Sequence, residues 1–296
     1  MPTWPLLMLI QNVTTGLFTV NSRVIARKFH HAALPLNVLI YGAIAAAGLV
    51  IALTSGASRI SSAGFWQFSG LFIIAGVCFA VANTLGYVVL QYVDAAIGSL
   101  LATFNIITAV ICATLIINEG LTPRQLVGGF VIVSSMYLVL SLRFSEYRHN
   151  RLWLGLFISL VASLFYGVAT TSEKYLLDHV NLQTYLTFGW GFQFVGMLAV
   201  SLALGKTVRA DFGLLKSKNF WRWATPACAL RITGGFIFIT SLKLANNLSI
   251  ISALTGFRVL LAAIFAAYLL SEREFLARKY EAAILAVCGI AIMLWK

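Results

Sequence analysis

The chain has 296 residues, 60% of them hydrophobic and only 10% charged, with a mean hydropathy of +0.91. Soluble domains carry about 25% charged residues, and no soluble fold hides this much apolar surface, so the composition excludes a soluble protein and places the chain in a bilayer. The net charge of +12 would suggest nucleic acid in a soluble protein, but here the basic residues sit mainly in short loops between apolar runs, the usual bias of membrane proteins, and no nucleic-acid partner is expected.

Taken in order, ten apolar runs are of spanning length or close to it, about 4–22, 34–54, 67–91, 95–117, 124–142, 152–173, 182–204, 223–242, 248–270 and 278–295. The first begins with no charged n-region and shows no small-residue cleavage site, so it reads as a retained helix. Its polar residues are Gln11, Asn12, Thr14 and Thr15, and it closes on Arg23. Runs three and four are separated only by Gln91 to Asp94, and runs eight and nine only by Lys243 to Asn247, so each pair forms an antiparallel hairpin. The polar connection Arg143 to Arg151 divides the chain into two halves of five runs, 1–143 and 152–296. The cysteines all fall inside runs without C-x-x-C spacing, which implies neither a metal site nor a disulfide framework.

The two halves read as related. Gly16 precedes Arg23 by seven residues, and Gly167 precedes Lys174 by seven. Shifting the first run by 151 also aligns Asn12, Thr15 and Thr19 with Ser163, Tyr166 and Thr170. Ser159, Ser163, Tyr166, Thr170 and Lys174 fall on one helical face, which should look towards protein or water. The fourth run of each half ends in an acid, Asn118-Glu119 and Ser271-Glu272. An odd number of spans per copy would set the copies in opposite orientations. That is the inverted-repeat plan of secondary transporters, with the site between the repeats near the midplane.

Runs eight and nine each hold an arginine deep in apolar sequence, Arg231 in ATPACALRITGGFIFITSL and Arg258 in SIISALTGFRVLLAAIFAAYLL. A guanidinium at that depth costs at least about 2.5–3.5 kcal/mol and keeps its proton. The acids all lie in loops or within about two turns of a run's end, so no carboxylate is expected to neutralise the arginines. The expectation is a water-filled cavity in which the missing anion is the substrate. Without a mid-membrane carboxylate, uniport or exchange is favoured over proton coupling, with Asp94, Glu173 and Glu281 as relays only if the cavity reaches them.

The arrangement resembles the drug/metabolite transporter superfamily, particularly its EamA-type members. The resemblance rests on the segments AIGSLLATFNIITAVICATLIINEGLTPRQLVGGFVIV and NNLSIISALTGFRVLLAAIFAAYLLSEREF. The family pattern closes the fourth helix on an acid and follows it with a glycine-bearing fifth helix. Glu119 and Gly128-Gly129 match it, and Glu272 matches in the second half, where Glu281 and Ala282 replace the glycines. The resemblance implies an all-α integral membrane fold of ten transmembrane helices in two inverted five-helix repeats. Small multidrug-resistance relatives bind cations through a first-helix glutamate, and this first helix has no acid.

The expected function is therefore secondary transport of a small polar, carboxylate- or phosphate-bearing metabolite by alternating access. Arg231 and Arg258 would hold the charge. Asn12, Thr15, Ser163, Tyr166, Thr170, Asn83, Tyr87, Ser252 and Thr255 would supply hydrogen bonds, and Arg23, Lys174, Glu119 and Glu272 would act as gate or helix-end residues. Tyr41, Trp190 and Gln193 also lie within runs. The alternatives are a broad exporter of amino acids or amphipathic compounds with structural arginines, and a non-transporting scaffold. No nucleophile, base or metal constellation points to an enzyme, no cofactor is expected, and the membrane is read as the cell membrane. Leaving the two buried arginines aside, fourteen basic residues fall on one side and five on the other. The positive-inside rule then puts both termini outside, whereas the resemblance implies both in the cytoplasm.

Overall fold

The computed structural model describes residues 4–29, 32–56, 60–93, 95–120, 122–143, 149–203, 212–245, 248–271 and 276–294. Among them the regular structure is helical and no residue is in a strand. The first half holds α1 (Trp4–Lys28), α2 (Ala33–Gly56), the short α3 (Ser62–Gln67), α4 (Ser69–Tyr92), α5 (Ala95–Leu101), α6 (Phe104–Ile117) and α7 (Pro123–Arg143). The second holds α8 (His149–His179), α9 (Leu182–Thr184) leading through a π turn (Tyr185–Gly189) into α10 (Trp190–Ala203), then α11 (Lys218–Leu244), α12 (Leu248–Thr255), α13 (Arg258–Leu269) and α14 (Leu276–Leu294).

Seven stretches among the described residues are helical, long and apolar enough to cross a membrane: Ala33–Ser55, Ser69–Tyr92, Ile97–Ile117, Trp153–His179, Leu182–Ala203, Lys218–Leu244 and Leu248–Leu269. The remaining apolar runs of the sequence fall on α1, α7 and α14. In α1 the polar stripe lowers the hydropathy. Leu115, Phe130, Leu202 and Tyr268 are exposed on the outer surface, as suits side chains meeting lipid tails, where backbone polar groups must be satisfied inside helices. This is an integral, multi-pass membrane protein.

Two spans are broken in the middle, which hydropathy did not foretell. Between α5 and α6 the chain tightens at Ala102–Thr103, where Thr103 N donates to the Leu100 carbonyl at 3.0 Å. Between α12 and α13 it tightens at Gly256–Phe257, where Gly256 N donates to the Ala253 carbonyl at 3.0 Å. Each is a short stretch of the tighter i→i+3 helix, which inside a longer helix often marks a hinge. Each is also stitched by a side chain. Thr103 Oγ1 donates to the Leu100 carbonyl at 2.6 Å, and Asn12 Nδ2 donates to the Leu254 carbonyl at 2.9 Å.

The helices pair across the halves. α4 and α6 lie on α8, α1 lies on α11 and α13, α10 lies on α2 and α4, and α7 lies on α14. Two glycines mark corresponding close approaches in the two halves. A Cβ at Gly16 would fall 3.3 Å from Leu261 Cβ and Phe265 on α13, and one at Gly167 would fall 2.8 Å from the Thr108 backbone on α6. Small residues let membrane helices approach in this way, and both glycines press a full-length helix onto the outer piece of a broken one.

Candidate substrate cavity

The broken helices, α1, α2, α4, α8, α10 and α11 line a cavity, and both arginines face it. Arg231 Nη2 donates to Asn83 Oδ1 on α4 at 3.2 Å, and its guanidinium lies 5.7 Å from the centre of the Phe18 ring. A stacked cation of this kind gains a modest attraction. Arg258 is the first residue of α13, and its Nη2 donates to the Ala102 carbonyl at 3.2 Å. One arginine therefore links the two helix breaks to each other. Neither forms an ion pair among the described residues.

Of the residues read from sequence as substrate contacts, Thr15, Asn83, Tyr87, Tyr166, Arg231 and Arg258 line the cavity. Thr15 Oγ1 accepts from Gln11 Nε2 at 3.0 Å, and the Tyr166 ring stands edge-on to Phe79 at 5.7 Å. Asn12, Ser163, Thr170, Ser252 and Thr255 lie outside the lining. Asn12 holds the Leu254 carbonyl, as described. Ser163 Oγ donates to Asn105 Oδ1 at 2.7 Å, while its carbonyl accepts from Thr108 Oγ1 at 2.6 Å. Thr170 turns back to the Tyr166 carbonyl at 2.9 Å, and Thr255 to the Ser252 carbonyl at 2.6 Å. These hydroxyls bond within the bundle, because a hydroxyl on a spanning helix reaches its own preceding turn more readily than a cavity.

The helix-end residues also have defined partners. Arg23 donates to the Leu90 carbonyl near the end of α4, and Lys174 Nζ donates to the Ala245 carbonyl just after α11 at 3.1 Å and to Asp178 at 2.7 Å. Each cation meets a carbonyl at a helix C-terminus, where positive charge is favoured. Glu119 caps α12 from the other half. Its carboxylate accepts from Leu248 N at 2.9 Å, Ser249 N at 3.3 Å and Ser249 Oγ at 2.9 Å. Glu272 lies outside the described residues.

The condition set from sequence for Glu173, that the cavity reach it, is met. Glu173 is only 1% exposed and lines the cavity. Because α8 continues to His179 and packs against its neighbours there, proximity to the end of a run did not put this carboxylate in solvent. Its Oε1 accepts from Tyr185 Oη in the π turn, and Gln193 Nε2 backs the same hydroxyl at 3.4 Å. π turns inside helices recur at functional sites; this one carries Tyr185 to Glu173.

Six buried polar atoms of lining residues have no partner among the described residues: Gln11 Oε1, Ser22 Oγ, Asn37 Nδ2, Tyr87 Oη, Ser99 Oγ and Glu173 Oε2. An unmet buried polar group costs about 1–3 kcal/mol. Their gathering around one cavity marks it as a place for water or a polar ligand.

Residues 2–141 match the EamA-like transporter family. No curated protein matches the sequence. A solved crystal structure superposes with a TM-score of 0.68 at 13% identity, over 99% of this chain and 96% of that one. At that identity the likeness extends to the fold alone.

Proposed function

We propose, from a chain that is EamA-like over residues 2–141 and whose fold encloses a doubly cationic cavity, a secondary transporter of a small anionic metabolite. The observation that carries this reading is the presence of Arg231 and Arg258 in one buried cavity with no ion-paired partner for either among the described residues. A carboxylate or phosphate offers a guanidinium planar, bidentate acceptors, while Asn83, Thr15, Tyr87 and Tyr166 surround the remainder of the ligand.

Ten spans in two inverted repeats are part of the same proposal. The contacts support it because exchanging the halves maps them onto one another. Helix α4 on α8 corresponds to α11 on α1, α6 on α8 to α13 on α1, and α7 on α14 to itself. Gly16 corresponds to Gly167, and Arg23 on the Leu90 carbonyl to Lys174 on the Ala245 carbonyl. The two broken spans correspond as well, and discontinuous helices in matching positions are the best pointer to a transporter's binding site. Alternating access then consists of one bundle rocking against the other about the breaks.

The test is a thermal-shift screen of detergent-purified protein against anionic, neutral and cationic metabolites, repeated on Arg231→Ala and Arg258→Ala. A ligand at about 100 times its Kd stabilises by about 2.7 kcal/mol. Anions should raise Tm in the wild type and lose that effect in both variants. Equal stabilisation of wild type and variants by uncharged compounds would refute the reading. It would favour instead a broad exporter with structural arginines, for which the Arg258 bond to the Ala102 carbonyl speaks.

A further inference from the structure

The cavity's one described acid has no part in the transport scheme above, and its surroundings give it one. Glu173 is 1% exposed, lines the cavity shared with both arginines, and leaves Oε2 without a partner among the described residues while Oε1 is held by Tyr185. The groups whose charges or hydrogen bonds reach it come from several elements. They are Tyr185 of the π turn, Arg231 of α11, Tyr41 of α2 and Tyr166 on its own helix. From α4 and α6, which also pack on α8, no charged group acts on it. The neighbouring Lys174 is turned away, to Asp178 and the Ala245 carbonyl.

We propose that Glu173 is a proton-binding site coupled to the cavity's occupancy, taking up a proton when an anion binds beside Arg231. The proposal rests on the anion reading above. On the alkaline side, with the cavity free of anion, an ionised Glu173 carboxylate stands in the field of Arg231. An anion on that guanidinium offsets the positive field that favours the ionised carboxylate and brings a second negative charge into the same cavity. Two like charges in one buried site cannot both persist, and Glu173 Oε2 has no donor among the described residues to hold its charge. A proton from the aqueous side therefore adds to Oε2. The only bond formed is that O–H, and it is broken again, returning the proton to water, when the anion leaves. Tyr185, fixed by Gln193, keeps the carboxyl in place through both states. Coupled in this way, the cycle moves a proton with each anion and not by the uniport or exchange expected from sequence.

The experiment uses the whole purified protein with lactate and sulfate as probes, which keep their charge between about pH 5.5 and 8.5. Binding is measured calorimetrically in two buffers of different ionisation enthalpy, with infrared spectra of the carboxyl stretch. In the wild type, Kd should weaken towards a limit of about tenfold per pH unit on the alkaline side. On that alkaline side binding should take up about one proton, and the probe should increase a protonated-carboxyl band. Glu173→Gln should bind with an affinity independent of pH, without proton uptake and without that band. Binding with no pH dependence and no proton uptake in the wild type overturns this proposal and leaves the anion reading standing. Proton uptake undiminished in Glu173→Gln overturns the assignment to this residue. Failure of both probes to bind at any pH overturns the anion reading and this proposal together. Should Glu173→Gln not fold, the calorimetry and infrared response of the wild type still decide.

Discussion

Replacing Glu119 by alanine should loosen the tie between the end of one broken span and the start of the other. The carboxylate accepts three hydrogen bonds from the first turn of α12, two of them from the amides of Leu248 and Ser249. Both residues are buried, at 0% and 3% exposed, so water does not readily replace the lost acceptor. Loss of a helix N-cap costs about 0.5–2 kcal/mol, and loss of a negative charge at a helix N-terminus costs about 0.3–1 kcal/mol. Leaving a buried amide unmet adds to this, since each such group costs about 1–3 kcal/mol. A total of about 2–4 kcal/mol is expected, which for a chain of this size corresponds to a fall in Tm of roughly 4–12 °C. Glu119→Gln keeps one acceptor oxygen and should lose less than half as much. The assay is thermal unfolding of the purified protein in one detergent, followed by tryptophan fluorescence, with Ser249→Ala and the double variant completing a cycle. Residues sharing a hydrogen-bond network should be non-additive by at least about 0.5 kcal/mol. A Glu119→Ala protein melting within about 1 °C of wild type would refute the capping argument.

Three further outcomes are expected in the same melts. Gly289→Ala would place a Cβ 2.7 Å from the Gly128 carbonyl and 2.9 Å from Ile132 on α7 and should destabilise by about 1–3 kcal/mol, whereas Gly129→Ala meets nothing within 4 Å and should be neutral or gain up to about 1 kcal/mol. Ser271 closes the second broken span at φ 55°, so Ser271→Gly should raise stability by about 0.5–1 kcal/mol. Asn12→Ala removes the donor to the Leu254 carbonyl and should cost about 1–3 kcal/mol. As Asn12 lies outside the cavity lining, binding of any anion found in the screen should be retained in the surviving folded protein.

Most of the fold was legible because spanning helices announce themselves by hydropathy alone. The breaks at Ala102–Thr103 and Gly256–Phe257 were not, since neither contains proline and both lie in continuous apolar sequence. They depend on tertiary partners, the Asn12 amide and the Arg258 guanidinium. The depth of Arg231 and Arg258 was legible and led to the cavity. The hydroxyl stripe on α8 was legible as a buried face, but a period of four residues cannot separate a face turned to a ligand from one turned to another helix. Ser163 and Thr170 bond into the bundle, whereas Tyr166, on the same face, reaches the cavity. Glu173 was legible only as one of three conditional relays, because its place near a run's end does not say whether neighbouring helices extend far enough to bury it.

The asymmetry of the cavity bears on where function resides. Asn118 and Ser271 close the two broken spans with the same left-handed turn, and they lie 153 positions apart (271 − 118). Carried along the proposed repeat, that offset sets Arg258 against Asn105 and Arg231 against Cys78. Asn105 lines the cavity and accepts from Ser163; it could not have supplied a fixed positive charge. Both cations thus come from the second half, while the glycine crossings and the cation-to-carbonyl ties of Arg23 and Lys174 are shared by the two halves. On the proposed reading, a duplicated scaffold needs matching contacts to rock about its breaks, whereas an anion needs positive charge in the cavity whichever half supplies it. Residues without a counterpart in the other half, Arg231 and Arg258 first among them, are therefore where substrate choice should be sought. Exchanging Arg258 with Asn105 in a double variant should leave the fold assembled and abolish anion stabilisation in the thermal screen. Retention of anion binding in that variant would place selectivity in the shared scaffold and refute this division of labour.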